Sequence, residues 1–299
     1  MKKLLYIYFL IITIQNTEAQ IKYLDSLYAV DKVQTKVYTE KDDEKLIIDL
    51  YTPSNADKNR PLIIFMHGGG FSGGSPQNPQ EVKFAKVAAA KGYIVGLISY
   101  RLTRKDKSFG CDYDASGKIE TFQLAAEDFM DAVKFMKHHA EEFNIDPDII
   151  IVGGSSAGAE AVLNAAYNPA LMFDDTEKYS DISFSAVISL AGAIVDARYL
   201  NNAQAVPGIF FHGTDDNLVP YASAPHHYCE ANEPGYLMLD GSQSIVDKLH
   251  KLEASYLFYT YKDARHEISG IPFKELPQVF EFLNSVVFKK EKIQTKIYK

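Results

Sequence analysis

The strand-like run Asp148 to Val152 leads directly into Gly154, Ser155, Ser156, Ala157, Gly158 and then into an Ala-rich stretch of helical character. Few features constrain a fold as tightly, because the chain must leave a strand, turn within about three residues and begin a helix. The residue at the apex of so sharp a turn takes strained backbone angles. Small residues on either side let the neighbouring strand and helix approach it, which accounts for the two glycines. Ser156 occupies the apex; Ser155 lacks the second glycine at the matching offset.

The remaining apolar runs extend this pattern. Together with the strand before Gly154, Val33 to Tyr38, Leu46 to Tyr51, Leu62 to Met66, Tyr93 to Ser99, Phe184 to Leu190, Ile209 to Phe211 and Tyr256 to Tyr261 read as strands, eight in all. Helical signals fall between them. Asn78 is placed as an N-cap, with Pro79 at the first helical position and Glu81 at the capping-box position, and this helix should stop at Gly92. Phe122, Ala126, Phe129, Val133, Met136, Ala140 and Phe143 alternate spacings of four and three, one apolar stripe for burial against a sheet. Further helices are expected after Ser156, from Ile245 to Leu252 and from about Glu275 with Pro277 near its start. Two leading strands followed by alternating strands and helices predict an α/β fold: a mostly parallel eight-stranded sheet with an antiparallel edge at its start and helices on both faces. Ligands of such sheets bind at the carboxyl ends of the strands. No repeat or interdomain linker interrupts the pattern, and the roughly 15 residues between Leu190 and Pro207 are too few for an inserted cap domain.

Residues 1–19 carry Lys2 and Lys3, the apolar run Leu4 to Ile14 and a polar end at Thr17, Glu18 and Ala19, the order of a secretory signal peptide with cleavage after Ala19. Eleven apolar residues fall short of the roughly 20 that span a bilayer, so no stable membrane anchor is expected. Residues 20–299 are read as one domain. A secreted or periplasmic chain exposes Cys111 and Cys229 to an oxidising compartment, where the alternatives are one bridge or two inert buried thiols. The formal charge of −8, from 31 basic and 39 acidic residues, opposes contact with phosphate backbones, so nucleic acid is excluded as a partner.

The chemistry lies in three stretches. Ser156, at a strand-to-helix turn, is placed as a nucleophile. His67, Gly68, Gly69, Gly70 and Phe71 follow the strand Leu62 to Met66, and consecutive glycines let main-chain N–H groups face a cavity. The N–H groups of Gly69, Gly70 and Ala157 could hold an oxyanion. Gly68, Gly70 and Gly73 also match a dinucleotide-binding G-x-G-x-x-G, but Ser75, Pro76 and Pro79 delay the helix and no acid ends the next strand, so no cofactor is expected. A serine hydroxyl needs a base, and the base needs an acid to orient it. Asp215 and Asp216 both follow the strand ending at Phe211, on the carboxyl edge, and either could be the acid. His266 lies a few residues past the strand Tyr256 to Tyr261, on the same edge, whereas His250 falls in a helical stretch; His266 is placed as the base. Neighbouring helical residues point about 100° apart, so His138–His139 and His226–His227 form no chelating face and no metal is expected.

Taken together, these stretches resemble the α/β-hydrolase superfamily, and the His67 to Phe71 stretch resembles its hormone-sensitive-lipase and carboxylesterase branch. The resemblance runs from about Leu46 to Val287 and includes Ser99, Tyr100, Arg101, Leu102 and Asn144, Ile145, Asp146, Pro147. It implies that the acid is Asp216, the second residue after His212-Gly213-Thr214, and that His266, followed by Glu267, is the base. The chain departs from the pattern at Ser155, where an acidic residue is common, and at Ser99, where an aspartate is. The resemblance implies an exported serine carboxylesterase acting through Ser156, His266, Asp216 and an acyl-enzyme on a small-molecule or polysaccharide-linked ester. A polysaccharide acetyl or feruloyl esterase, a serine peptidase of the same fold and a non-catalytic binding module are the alternatives.

Overall fold

The computed structural model describes residues 22–54 and 58–299; the segment 1–19, read above as a signal peptide, lies outside them. In chain order the elements are β1 (Gln34–Lys41), β2 (Glu44–Tyr51), β3 (Arg60–Met66), α1 (Pro79–Ala90), β4 (Ile94–Ile98), α2 (Ala115–His138), α3 (Ala140–Phe143), β5 (Ile145–Ser155), α4 (Ala157–Tyr167) and α5 (Pro169–Met172). They continue with β6 (Ala186–Leu190), β7 (Ala193–Ile194), β8 (Gly208–Gly213), β9 (Ser223–Pro225), β10 (Met238–Gly241), α6 (Ser242–Lys251), β11 (Tyr256–Tyr261), α7 (Leu276–Leu283) and β12 (Gln294–Tyr298).

The main sheet runs β1-β2-β4-β3-β5-β6-β8-β11-β12. Its β1–β2 and β2–β4 pairs are antiparallel, and each pair from β4 to β12 is parallel. Period-two alternation divides the core: Leu62, Ile64, Met66, Val152 and Phe210 pack against α2, α4 and α6, while Ile63, Phe65, Ile151, Ile209 and Phe211 pack against α1 and α7. Strands buried on both faces read as continuous apolar runs for this reason. The parallel direction carries Ser156, the loop after β8 and the turn after β11 to one edge.

The sequence anticipates eight strands in this sheet; among the described residues the structure has nine. The addition, β12, carries Gln294, Thr295 and Lys296, and as an edge strand it pairs on one side only, so it needs no apolar run. The short strands β7, β10 and β9 form a separate small sheet. A second difference concerns Glu81. Asn78 caps α1 as expected, its side chain accepting from Gln80 N–H at 2.9 Å. The Asn78 N–H, however, bonds to Ser75 O at 3.1 Å, and the Glu81 side chain is buried instead of closing a capping box. The apolar stripe through Phe143 also breaks, with α2 ending at His138 and α3 resuming at Ala140.

Cys111 and Cys229 are joined by a disulfide across 118 residues. It pins the segment before α2 to the loop after β9, where the buried Lys118 ammonium donates to Gly235 O at 2.8 Å and Gly235 N–H donates to Cys111 O at 2.9 Å. Closing so long a loop stabilises a fold by about 2–5 kcal/mol. A Cys111→Ser/Cys229→Ser double variant should therefore unfold roughly 5–10 °C lower than wild type under non-reducing conditions, measured by thermal denaturation; an unchanged midpoint would contradict this.

Burial pushes the Glu81 carboxyl from an ordinary 4.5 up to about 8. Below the ordinary value both folded and unfolded states are protonated, so the carboxyl does not weaken the fold; between that value and about 8 only the unfolded chain ionises freely, and stability falls as pH rises. Glu81→Gln should flatten this decline, so the difference in unfolding midpoint between acidic and mildly alkaline buffer shrinks relative to wild type; an equal decline in both proteins would contradict the assignment.

Candidate active site

Ser156 takes φ 51° and ψ −124°, backbone angles that a side-chain-bearing residue adopts only when its surroundings hold it there. Its N–H donates to Leu190 O on β6 at 2.8 Å, and its carbonyl accepts the first helical bond of α4, from Glu160 N–H at 2.9 Å. The flanking glycines have steric causes. A Cβ on Gly158 would stand 2.2 Å from Met66 O, and one on Gly154 would stand 2.4 Å from the Gly158 carbonyl carbon. Ser155 Oγ, at the position where the resemblance leads one to expect an acid, donates to Ser269 O at 2.7 Å and ties the turn to the segment that carries His266. Ser99, the other departure, accepts Ile47 N–H at 2.8 Å and stitches β4 to β2.

His266 opens a single 3-10 turn, His266–Ser269, shortly after β11. Its Nε2 lies 2.7 Å from Ser156 Oγ, and its Nδ1 lies 2.8 Å from Asp216 Oδ2. Asp216 is 1% exposed, and its other oxygen accepts the N–H groups of Leu218 at 2.9 Å and Val219 at 3.0 Å. Burial by itself would raise this carboxyl, but hydrogen bonds from His212 and His266 outweigh it and hold Asp216 well below the usual carboxylate range. The sequence left Asp215 and Asp216 both open by position; Asp215 is exposed and accepts from its neighbour Thr214, away from His266. His250 meets the Tyr256 hydroxyl at 3.2 Å, and His139 meets Phe135 O at 2.8 Å. Among the described residues the one cluster of potential metal ligands is Cys111, Cys229 and Glu233, and its two sulfurs are bonded to each other.

Gly69, Gly70 and Ala157 line a cavity of about 470 Å³ together with Ser156 and His266. Gly69 has φ 118° and a Cβ there would stand 2.3 Å from Gly73 O, so this loop conformation is restricted to glycine. Among the described residues no acceptor takes the N–H of Gly69, Gly70 or Ala157. The arrangement offers a hydroxyl beside an imidazole, a buried carboxylate behind that imidazole and main-chain donors at the start of α4, where the helix dipole adds positive potential.

Several participants were not found by sequence reasoning. His212, fully buried, places Nε2 3.3 Å from Asp216 Oδ2 and 3.1 Å from Val219 O, while Ser242 Oγ meets its Nδ1 at 2.8 Å. Glu81, Glu160 and His226 also line the cavity. Two of them carried a sequence signal: His212 opens the His212-Gly213-Thr214 stretch that precedes Asp216, and Glu160 stands four residues beyond Ser156, about one turn along the helix that follows.

Comparison with known proteins places these observations in a lineage. Over 124 residues the chain is 33% identical to gut esterase 1 of Caenorhabditis elegans, covering 42% of this chain and 21% of that protein. Over 137 residues it is 29% identical to the para-nitrobenzyl esterase of Bacillus subtilis, covering 44% of this chain and 27% of that protein. The chain thus spans about a fifth to a quarter of the length of these curated relatives. Among solved structures it is similar to Thermogutta terrifontis esterase 2 phosphorylated by paraoxon, with a TM-score of 0.63 and 21% identity over 86% of this chain and 95% of that one, which shows the α/β-hydrolase fold. The BD-FAE family model matches residues 48–248, well over half of the 299-residue chain, and the chain therefore belongs to the BD-FAE family.

Proposed function

We propose that this protein is an exported carboxylic-ester hydrolase that works through Ser156, His266 and Asp216. The continuous hydrogen-bond sequence from Ser156 Oγ through the His266 ring to Asp216, with each step under 3 Å, carries this reading. His266 Nε2 takes the Ser156 proton as Oγ attacks the ester carbonyl, forming a tetrahedral intermediate whose oxyanion accepts from the N–H groups of Gly69, Gly70 and Ala157. The imidazolium returns that proton to the leaving alcohol as the C–O bond breaks, leaving an acyl group on Ser156. Water, deprotonated by His266, then attacks the acyl carbonyl, and the proton passes back to Oγ as the acid departs.

Asp216 holds Nδ1 protonated, which leaves Nε2 free to accept, and its charge stabilises the imidazolium. The suppressed proton affinity of Asp216 suits this task, because a carboxyl that took up a proton would lose both effects. A cavity of about 470 Å³ lies within the range of small-molecule sites. The names of two relatives, a gut esterase and a para-nitrobenzyl esterase, agree with this chemistry.

Purified protein should hydrolyse p-nitrophenyl esters of short acids. Ser156→Ala should lower kcat by a factor on the order of 10³ or more, and Asp216→Asn by about 10⁴ with little change in KM, read from initial rates. A Ser156→Ala protein as active as wild type would contradict the mechanism, and a folded wild type with no hydrolytic activity would favour a binding role.

A further inference from the structure

Buried polar groups are normally hydrogen-bonded, and the cavity beside Ser156 holds a conspicuous exception. Glu160 is 1% exposed and its Oε1 has no hydrogen-bond partner among the described residues; His226 is 0% exposed and neither of its ring nitrogens has one. Both residues line the cavity that holds Ser156 and His266. Glu160 Oε1 and His226 Nε2 stand 3.3 Å apart without hydrogen-bond geometry. Nor are they an ion pair: burial pushes the Glu160 carboxyl up to about 8 and the His226 ring down to about 3, so both are neutral at neutral pH. A neutral carboxyl offers an O–H donor and a carbonyl acceptor, and a neutral imidazole offers one of each.

The pair is held in place. His226 N–H donates to Leu237 O at 2.8 Å, the next residue's N–H donates to Leu218 O at 2.9 Å, and the ring packs edge-on against Phe109 and Phe122 at 5.4 and 6.0 Å. The Cys111–Cys229 disulfide joins the segments that carry Phe109 and His226. An unpartnered donor and acceptor fixed in a cavity call for a ligand group that can both accept and donate. A carboxylate can only accept, so it would leave an acceptor of the pair unmet; an ammonium can only donate, and it would meet the buried Lys118, whose field already acts on both Glu160 and His226. A hydroxyl meets neither objection.

We propose that Glu160 and His226 form a specificity subsite that receives a hydroxyl group of the ester substrate, the O–H donating to one side chain and the oxygen accepting from the other. This rests on the reading that Ser156 attacks the ester. A methyl in place of the hydroxyl would displace water and leave both groups unpaired, and sites built to bind a hydroxyl discriminate strongly against such isosteres.

The test uses matched pairs on the full-length protein. On the acyl side, p-nitrophenyl 3-hydroxybutyrate is compared with p-nitrophenyl 3-methylbutyrate; on the alcohol side, 2-hydroxyethyl butyrate is compared with propyl butyrate. Wild type should favour the hydroxyl member by roughly ten- to a hundredfold in kcat/KM in one arm, and that arm identifies which half of the ester enters the subsite. Glu160→Leu and His226→Phe should each bring that ratio to about one, whereas Glu160→Gln, whose amide keeps a donor and an acceptor, should retain most of it. If Glu160→Leu fails to fold by circular dichroism, His226→Phe and Glu160→Gln still decide the matter. Turnover of all four esters without preference in either arm, or a preference that survives His226→Phe, overturns the subsite alone. Absence of turnover with every ester instead overturns the underlying reading of Ser156.

Discussion

The backbone of Ser156 is forced through a sharp turn, and the geometry of the site follows from what forces it. Positive φ at a non-glycine residue is unfavourable by about 1–3 kcal/mol and persists only where the surroundings leave no alternative. Here they leave none. The Ser156 N–H is fixed to β6, the carbonyls of Met66 and His67 leave no room for a side chain on Gly158, and every residue of α4 is buried. The two-sided apolar core therefore holds the strain in place, and the strain lifts the Ser156 hydroxyl clear of the sheet toward His266.

Around that hydroxyl the polar groups fall into two sets. One is fully satisfied: Asp216 accepts from two backbone N–H groups and from His266, and His212 braces it from behind while bonding to Ser242 and Val219. Such a network keeps a carboxylate ionised in a buried place and fixes the ring beside it. The other set, Glu81, Glu160 and His226, is buried with atoms that have no partner among the described residues. Water-excluded polar groups of this kind raise the penalty for a poorly matched ligand as much as they reward a matched one. The disulfide steadies the second set, because the segments it joins supply Phe109 and His226 to one wall of the cavity.

Legibility in the sequence followed the physics of each element. The buried parallel strands were readable as apolar runs, and the pentapeptide around Ser156 was readable because only glycine tolerates the approach of Met66 O and of the elbow's own backbone. The nearness of residues 156, 216 and 266 could be anticipated because parallel strands deliver their following loops to one edge. Choosing Asp216 over Asp215 needed the resemblance, since adjacent residues in one loop differ only in where the turn points them; the structure buries one and exposes the other. The edge strand β12 was missed because its polar composition carries no signature of pairing. Glu81 looked like a helix cap because its spacing from Asn78 was correct, yet the side chain turns inward. His226 gave no signal, as its burial depends on contacts with Phe109 and Phe122, more than a hundred residues away in the chain.

The claim at the centre is that Ser156 is a nucleophile made reactive by its setting. Incubating the native protein with a fluorophosphonate probe, digesting it and mapping the modified peptide by mass spectrometry tests this without any assumption about substrate. A single adduct on Ser156, lost when the protein is unfolded before labelling, is the expected result. A native protein that takes up no probe, or takes it up on a different residue, would contradict it.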